Sequence, residues 1–145
     1  MITAFRHAGI VVNDLEAAER FWCELLGFSV KRRIEESGAY IDSMLGISDA
    51  KVTTLKLAAP DGNLIELLKF HSHPDSDAWG GTITSTGLTH LAFTVDDLDA
   101  EHERLTAAGV RFASPPQNSP DGGARVAFCE GPEGLVLELV EVLSQ

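Results

Sequence analysis

The sequence predicts an α+β fold built from two copies of one βαβββ module. Three observations predict it. The phrase Arg6-His7-Ala8-Gly9-Ile10-Val11-Val12-Asn13-Asp14-Leu15 returns as Thr89-His90-Leu91-Ala92-Phe93-Thr94-Val95-Asp96-Asp97-Leu98. Each copy closes on a matching phrase, Pro60-Asp61-Gly62-Asn63-Leu64-Ile65-Glu66-Leu67 and Pro132-Glu133-Gly134-Leu135-Val136-Leu137-Glu138-Leu139. Between these phrases the apolar pattern runs from period two, to a helical period, and back. A repeat of this size means one structural unit used twice.

The elements follow in order. Phe5 to Val12 alternates and reads as a strand, with Phe5, His7, Gly9 and Val11 on one face. Asp14 is a suitable N-cap for a helix from Leu15 to Leu26, whose apolar stripe is Leu15, Ala18, Phe21, Trp22 and Leu25. Gly27 stops it. Phe28 to Ile34 reads as a strand, and Met44 to Ile47 as a short turn or helix. Lys51 to Ala58 and Leu64 to Phe70 are strands joined by a Pro-Asp-Gly-Asn turn.

The second copy repeats the order. Leu88 to Val95 is a strand, Leu98 to Ala108 a helix capped by Asp96 or Asp97 and ended by Gly109, and Val110 to Ala113 a short strand. Ser114 to Gly123, rich in Pro, Gly, Ser and Asn, reads as a loop. Ala124 to Cys129 and Leu135 to Val142 are the last strands. The organisation is therefore a first module over 1–70, a small and polar linker over 71–86 with Trp79-Gly80-Gly81 at its centre, and a second module over 87–145.

Composition narrows the function classes. Lys+Arg 11 against Asp+Glu 22 gives a formal net charge of -11. Such a surface repels phosphate backbones and anionic bilayers, so neither nucleic acid nor membrane is expected as a partner. An anionic substrate stays open, because a metal or a few arginines reverse a local field. Met1 to Phe5 lacks a basic region followed by an apolar core, and no apolar run approaches the roughly 20 residues of a bilayer span. Cys23 and Cys129 show no metal spacing and read as reduced, buried thiols, so a cytoplasmic protein is expected.

The candidate chemistry lies in four residues. Glu66 shares a strand face with Leu64 and Leu68, and Glu138 with Val136 and Val140. Burying a carboxylate among apolar neighbours costs several kcal/mol, to order of magnitude, after relaxation. A single such glutamate is more often solvated on an open sheet face or paired with an arginine, and a single His7 is more often structural. Two histidines and two glutamates at equivalent places in a duplicated unit weigh differently. Two imidazoles and two carboxylates suit a divalent ion such as Zn, Ni, Co, Mn or Fe better than Ca, which prefers oxygen alone. Four protein ligands with one or two open positions describe a catalytic rather than a structural site. His71 and His73 read as a solvated linker, His102 as a surface residue, and Asp96, Asp97 and Asp99 as helix-capping acids.

These phrases resemble the vicinal oxygen chelate superfamily, which includes glyoxalase I, methylmalonyl-CoA epimerase, fosfomycin-resistance transferases, extradiol dioxygenases and bleomycin-binding proteins. The resemblance spans almost the whole chain. It implies that the βαβββ modules form a curved mixed sheet around a metal site, with His7, Glu66, His90 and Glu138 as ligands. Glutamate at position 66 resembles glyoxalase I. Extradiol dioxygenases usually leave that position without a ligand, and the epimerases usually carry glutamine there. The segment Gly122-Gly123-Ala124-Arg125-Val126-Ala127-Phe128 in turn resembles the epimerases.

The resemblance thus implies a metal-dependent lyase or isomerase acting on a small carbonyl or thioester substrate. Glu138 would be the mobile base, Glu66 its partner across the site, and the protein a homodimer. The runner-up readings are an Fe(II) or Mn(II) extradiol-type dioxygenase, and a non-catalytic drug-binding resistance protein. Proteins of the last kind generally lack the four ligands that stand here.

Overall fold

The structure, a computed structural model, describes residues 1–73 and 80–143. The middle of the expected linker, 74–79, lies outside the described residues. The chain divides into two compact units, Met1–Ser76 and Asp77–Gln145. Each holds a four-stranded mixed, curved sheet and the expected βαβββ order. Among the described residues no helix is long and apolar enough to cross a membrane.

In the first unit the strands β1 (Ala8–Val11), β2 (Ser29–Ser37), β3 (Lys51–Ala58) and β4 (Leu64–Phe70) lie in the order β1-β4-β3-β2. β1 runs parallel to β4, and the other neighbours are antiparallel. Strands β3 and β4 begin and end where the sequence places them. β1 is shorter than expected, and Phe5 is exposed. Its pairing starts at Ala8 against Ile65, and β4 itself starts at Leu64, so residues ahead of His7 have no strand to pair with.

The Asp14 carboxylate accepts a hydrogen bond from the Ala17 N–H at 2.9 Å and caps α1 (Leu15–Arg20). The expected single helix to Leu26 instead widens into a π-helical turn, Phe21–Leu25, closed by the Leu26 N–H on the Phe21 carbonyl at 3.2 Å. This turn seats Trp22, fully buried, edge-on against Phe21 and Phe28. Leu15 and Ala18 face inward, as do Leu55, Leu57, Ile65 and Leu67 from the sheet. Burying a leucine contributes about 1.5–3 kcal/mol, and this apolar layer fixes which face of β4 is left for Glu66.

A short helix, α2 (Ala39–Leu45), follows β2; it overlaps the turn or helix expected over Met44 to Ile47 but begins earlier, at Ala39. It has one buried anchor, Ile41, packed with Ala50 and Val52, so it is too short for a period to show. The Asp42 carboxylate ties its return loop, accepting from the Asp49 and Ala50 N–H groups at 3.0 and 2.8 Å.

In the second unit β5 (Leu91–Thr94), β6 (Gln117–Asn118), β7 (Ala124–Glu130) and β8 (Val136–Val142) take the order β5-β8-β7-β6. Again β5 is parallel to β8. Asp97 caps α3 (Leu98–Ala107), whose Leu98 and Leu105 are buried where it meets β7 and β8.

The second strand of this module is a correction. Val110 to Ala113 makes only an isolated bridge, Phe112 to Cys129, and the edge strand is Gln117–Asn118, inside the segment expected to be loop. Pro115 and Pro116 explain the displacement: neither has an N–H to donate, so a ladder begun at Phe112 restarts only at Gln117.

Candidate metal centre

The register of each sheet places the candidate residues. Gly9 lies beside Glu66 and Ala92 beside Glu138 on the parallel β1–β4 and β5–β8 pairs. His7 and His90 stand two residues ahead of Gly9 and Ala92, hence on the same faces as the glutamates. Both intervening residues are small. A Cβ at Gly9 would meet Leu68 at 3.5 Å, an ordinary contact, and Ala92 carries such a Cβ in the second unit. Nothing bulky therefore separates imidazole from carboxylate.

In the first unit His7 Nε2 lies 3.6 Å from Glu66 Oε1. In the second, His90 Nε2 lies 3.3 Å from Glu138 Oε2. The first distance is too long for a hydrogen bond. Both match the separation of two ligands on one ion. Donors about 2.0–2.2 Å from a tetrahedral zinc stand roughly 3.4 Å apart. The donor set, a neutral imidazole nitrogen and a carboxylate oxygen in each unit, also fits a divalent transition metal.

The other ring nitrogens differ between the units. His90 Nδ1 is 2.9 Å from Thr89 Oγ1. With its proton donated to that hydroxyl, His90 presents the Nε2 lone pair toward Glu138, the arrangement a metal-binding histidine needs. His7 Nδ1 is buried and has no hydrogen-bond partner among the described residues.

Thus the structure brings the four residues together two by two, one pair in each unit. Among the described residues no three His, Cys, Asp or Glu side chains gather into a group able to hold a metal.

Two neighbours escaped the sequence reading. Lys56, beside Glu66 on β3, places Nζ 3.3 Å from Glu66 Oε2. Phe128, beside Glu138 on β7, packs its ring edge-on to His90 at 5.3 Å. The available signal was positional: each stands ten residues before its glutamate in the repeat.

The lesser candidates lie elsewhere. His71, just past the end of β4, is exposed, and its Nε2 is 2.7 Å from the hydroxyl of buried Thr53. His73 is exposed. His102 is half-buried rather than on the surface, its ring 4.3 Å from that of Phe112. Asp97 is the helix cap, whereas Asp99 accepts two bonds of 2.6 Å from Arg125. The Arg125 guanidinium holds the Asp99 carboxyl below the usual carboxylate range. Both cysteines are free, Cys129 buried and Cys23 half-buried.

Comparison with known proteins agrees with the fold. The family model described as the Glyoxalase/Bleomycin resistance protein/Dioxygenase superfamily matches residues 4–139. The chain is 30% identical over 154 residues to a 2-epi-5-epi-valiolone epimerase of Actinomyces sp, covering 96% of this chain and 79% of that one. It is 27% identical over 138 residues to a probable lactoylglutathione lyase of Vibrio cholerae, covering 93% and 88%. The crystal structure of a glyoxalase family protein from Bacillus cereus superposes with a TM-score of 0.90 at 26% identity, covering 99% of this chain and 97% of that one.

Proposed function

The chain belongs to the Glyoxalase/Bleomycin resistance protein/Dioxygenase superfamily, and on that footing we propose that it is a divalent-metal-dependent lyase or isomerase. The reaction moves a proton next to the carbonyl of a small substrate. The observation that carries this reading is the spacing of 3.6 Å and 3.3 Å between imidazole nitrogen and carboxylate oxygen in the two units. His7, Glu66, His90 and Glu138 are the ligands, two from each unit. The similarity to an epimerase and to a probable lactoylglutathione lyase supports proton transfer as the chemistry.

A divalent ion bound there would polarise a substrate oxygen and make the adjacent C–H more acidic. This chain's residues do the rest. His7 and His90 anchor through Nε2. Thr89 keeps the His90 ring oriented. Glu138 takes the proton and returns it, as a carboxylate beside the reacting carbon does in general acid–base catalysis. Phe128 narrows the space around His90 and lowers the local dielectric, which strengthens each charge interaction.

The test is metal analysis of the purified protein and its variants. His7→Ala and His90→Ala should each lose the metal, while His102→Ala keeps it. Stoichiometric metal in both His7→Ala and His90→Ala would sink the ligand assignment. A substrate screen over methylglyoxal hemithioacetal, acyl-CoA epimers and catechols then separates the chemistries. Solvent deuterium entering product supports the lyase or isomerase, and oxygen consumption with catechols replaces it by a dioxygenase.

A further inference from the structure

The repeat keeps histidine, a small residue and glutamate in both units, and then breaks its own pattern. On the next strand, at the place beside the glutamate, the first unit has Lys56 and the second has Phe128. The two carboxylates are therefore not equivalent. Glu66 has Oε1 toward His7 and Oε2 toward the Lys56 ammonium at 3.3 Å. Its side chain is 14% exposed and that of Lys56 25%, so water screens the pair only in part. Among the described residues no lysine or arginine stands within ion-pair reach of Glu138, whose neighbours are His90 and the Phe128 that packs on it.

Resting on the metal reading above, we propose that Lys56 is a positioning residue that holds Glu66 by one oxygen and opposes the divalent ion. Two physical effects act in the same direction. A cation entering at Glu66 must weaken an existing ion pair, and once seated it stands next to a second positive charge in a half-buried place. Lys56 thus sets the metal affinity of the chain below what its ligand set alone supplies. It also restricts Glu66 to one coordinating oxygen, because the other is held by the ammonium. Among the described residues no lysine or arginine holds Glu138 in this way. The asymmetry separates a ligand that stays from a ligand that works, in a unit otherwise duplicated.

The test is a zinc titration against a competing chromophoric chelator at fixed pH and salt. Lys56→Gln should bind zinc roughly tenfold more tightly than the wild type, the scale of one partly buried ion pair. Lys56→Met, which keeps the stem and removes the charge, should do the same and serves if the glutamine variant folds poorly by circular dichroism. Lys56→Arg, which keeps the charge, should stay within a few-fold of the wild type. In a Glu66→Gln background the effect of Lys56→Gln should largely vanish, because the lysine acts through that carboxylate. A wild-type chain that binds no zinc removes the metal reading and this inference together. A wild type that binds zinc, with affinity unchanged or weakened in Lys56→Gln and Lys56→Met, overturns the role of Lys56 alone.

Discussion

Glu138 and Glu66 are the same residue in the same place of a repeated unit with different neighbours, and the proposed reaction uses Glu138 as its base. Glu138→Gln keeps an oxygen donor and removes the base. Turnover should fall roughly 100-fold or more, the usual share of a general base, while metal is retained in part. Steady-state rates together with metal analysis check it, and a variant of undiminished rate excludes Glu138 as the base. The thiols make a second residue-scale prediction. Burial pushes the Cys129 thiol up to about 11 from its ordinary 9.0. The folded state therefore prefers the neutral thiol. Its contribution to stability is fully present below pH 9 and is lost as pH rises from there through about 11. Half-buried Cys23 is also raised, by burial and then by Glu19 and Glu24, yet it is within a reagent's reach. A thiol reagent at pH 8 should label Cys23 slowly and Cys129 only after unfolding. Fast labelling of Cys129 in the native protein would contradict its burial.

Elements set the limits of what the sequence reveals. β3 and β4 were legible to the residue because each is a short run of largely apolar and β-branched residues and a Pro-Asp-Gly-Asn turn joins them. α2 was legible only at its end, as a short turn or helix over Met44 to Ile47, since seven residues with one buried side chain carry no period. The displacement of β6 past Pro115 and Pro116 depends on which N–H groups meet β7, which is a matter of register rather than of pattern. The site divides in the same way. His7, His90, Glu66 and Glu138 were visible because the repeat preserves them. Lys56 and Phe128 were not, because they differ between the copies and acquire meaning only from the strand register. Helix capping, by contrast, is local and was readable. Asp14 accepts from Ala17 N–H and Asp97 from Ala100 N–H, each at 2.9 Å. Asp14→Ala and Asp97→Ala should each cost about 1 kcal/mol of stability. Leu105→Ala, a cavity under α3, should cost about 2–5 kcal/mol. Urea denaturation ranks the three, and a Leu105→Ala loss no larger than a cap loss would contradict the packing of α3.

At the scale of the whole molecule, the question is what covers the exposed apolar residues near the N-terminus. β1 is an edge strand of the first sheet, and Val11 on it and Phe5 ahead of it are exposed. Uncovered apolar edge strands invite pairing, and closed twofold dimers are the commonest way to satisfy them. A homodimer is therefore expected, and light scattering at micromolar concentration should give twice the chain mass of 15.6 kDa. A monomeric mass refutes it. Each chain carries its two histidine–glutamate pairs in separate units, so mixed dimers reveal how the pairs are used. His7→Ala leaves the second unit's pair whole, and His90→Ala leaves the first. Each variant alone should be inactive. If one ion draws its ligands from two chains, a mixed dimer holds one site with all four ligands and one with neither histidine. Mixing the variants through a denaturation and refolding cycle then restores up to about a quarter of wild-type activity, since half the dimers are mixed and half their sites complete. If one ion draws all four from a single chain, no mixed dimer contains a complete set and nothing returns. Activity in either variant before mixing would show that three ligands suffice, which would count against a quartet in either arrangement.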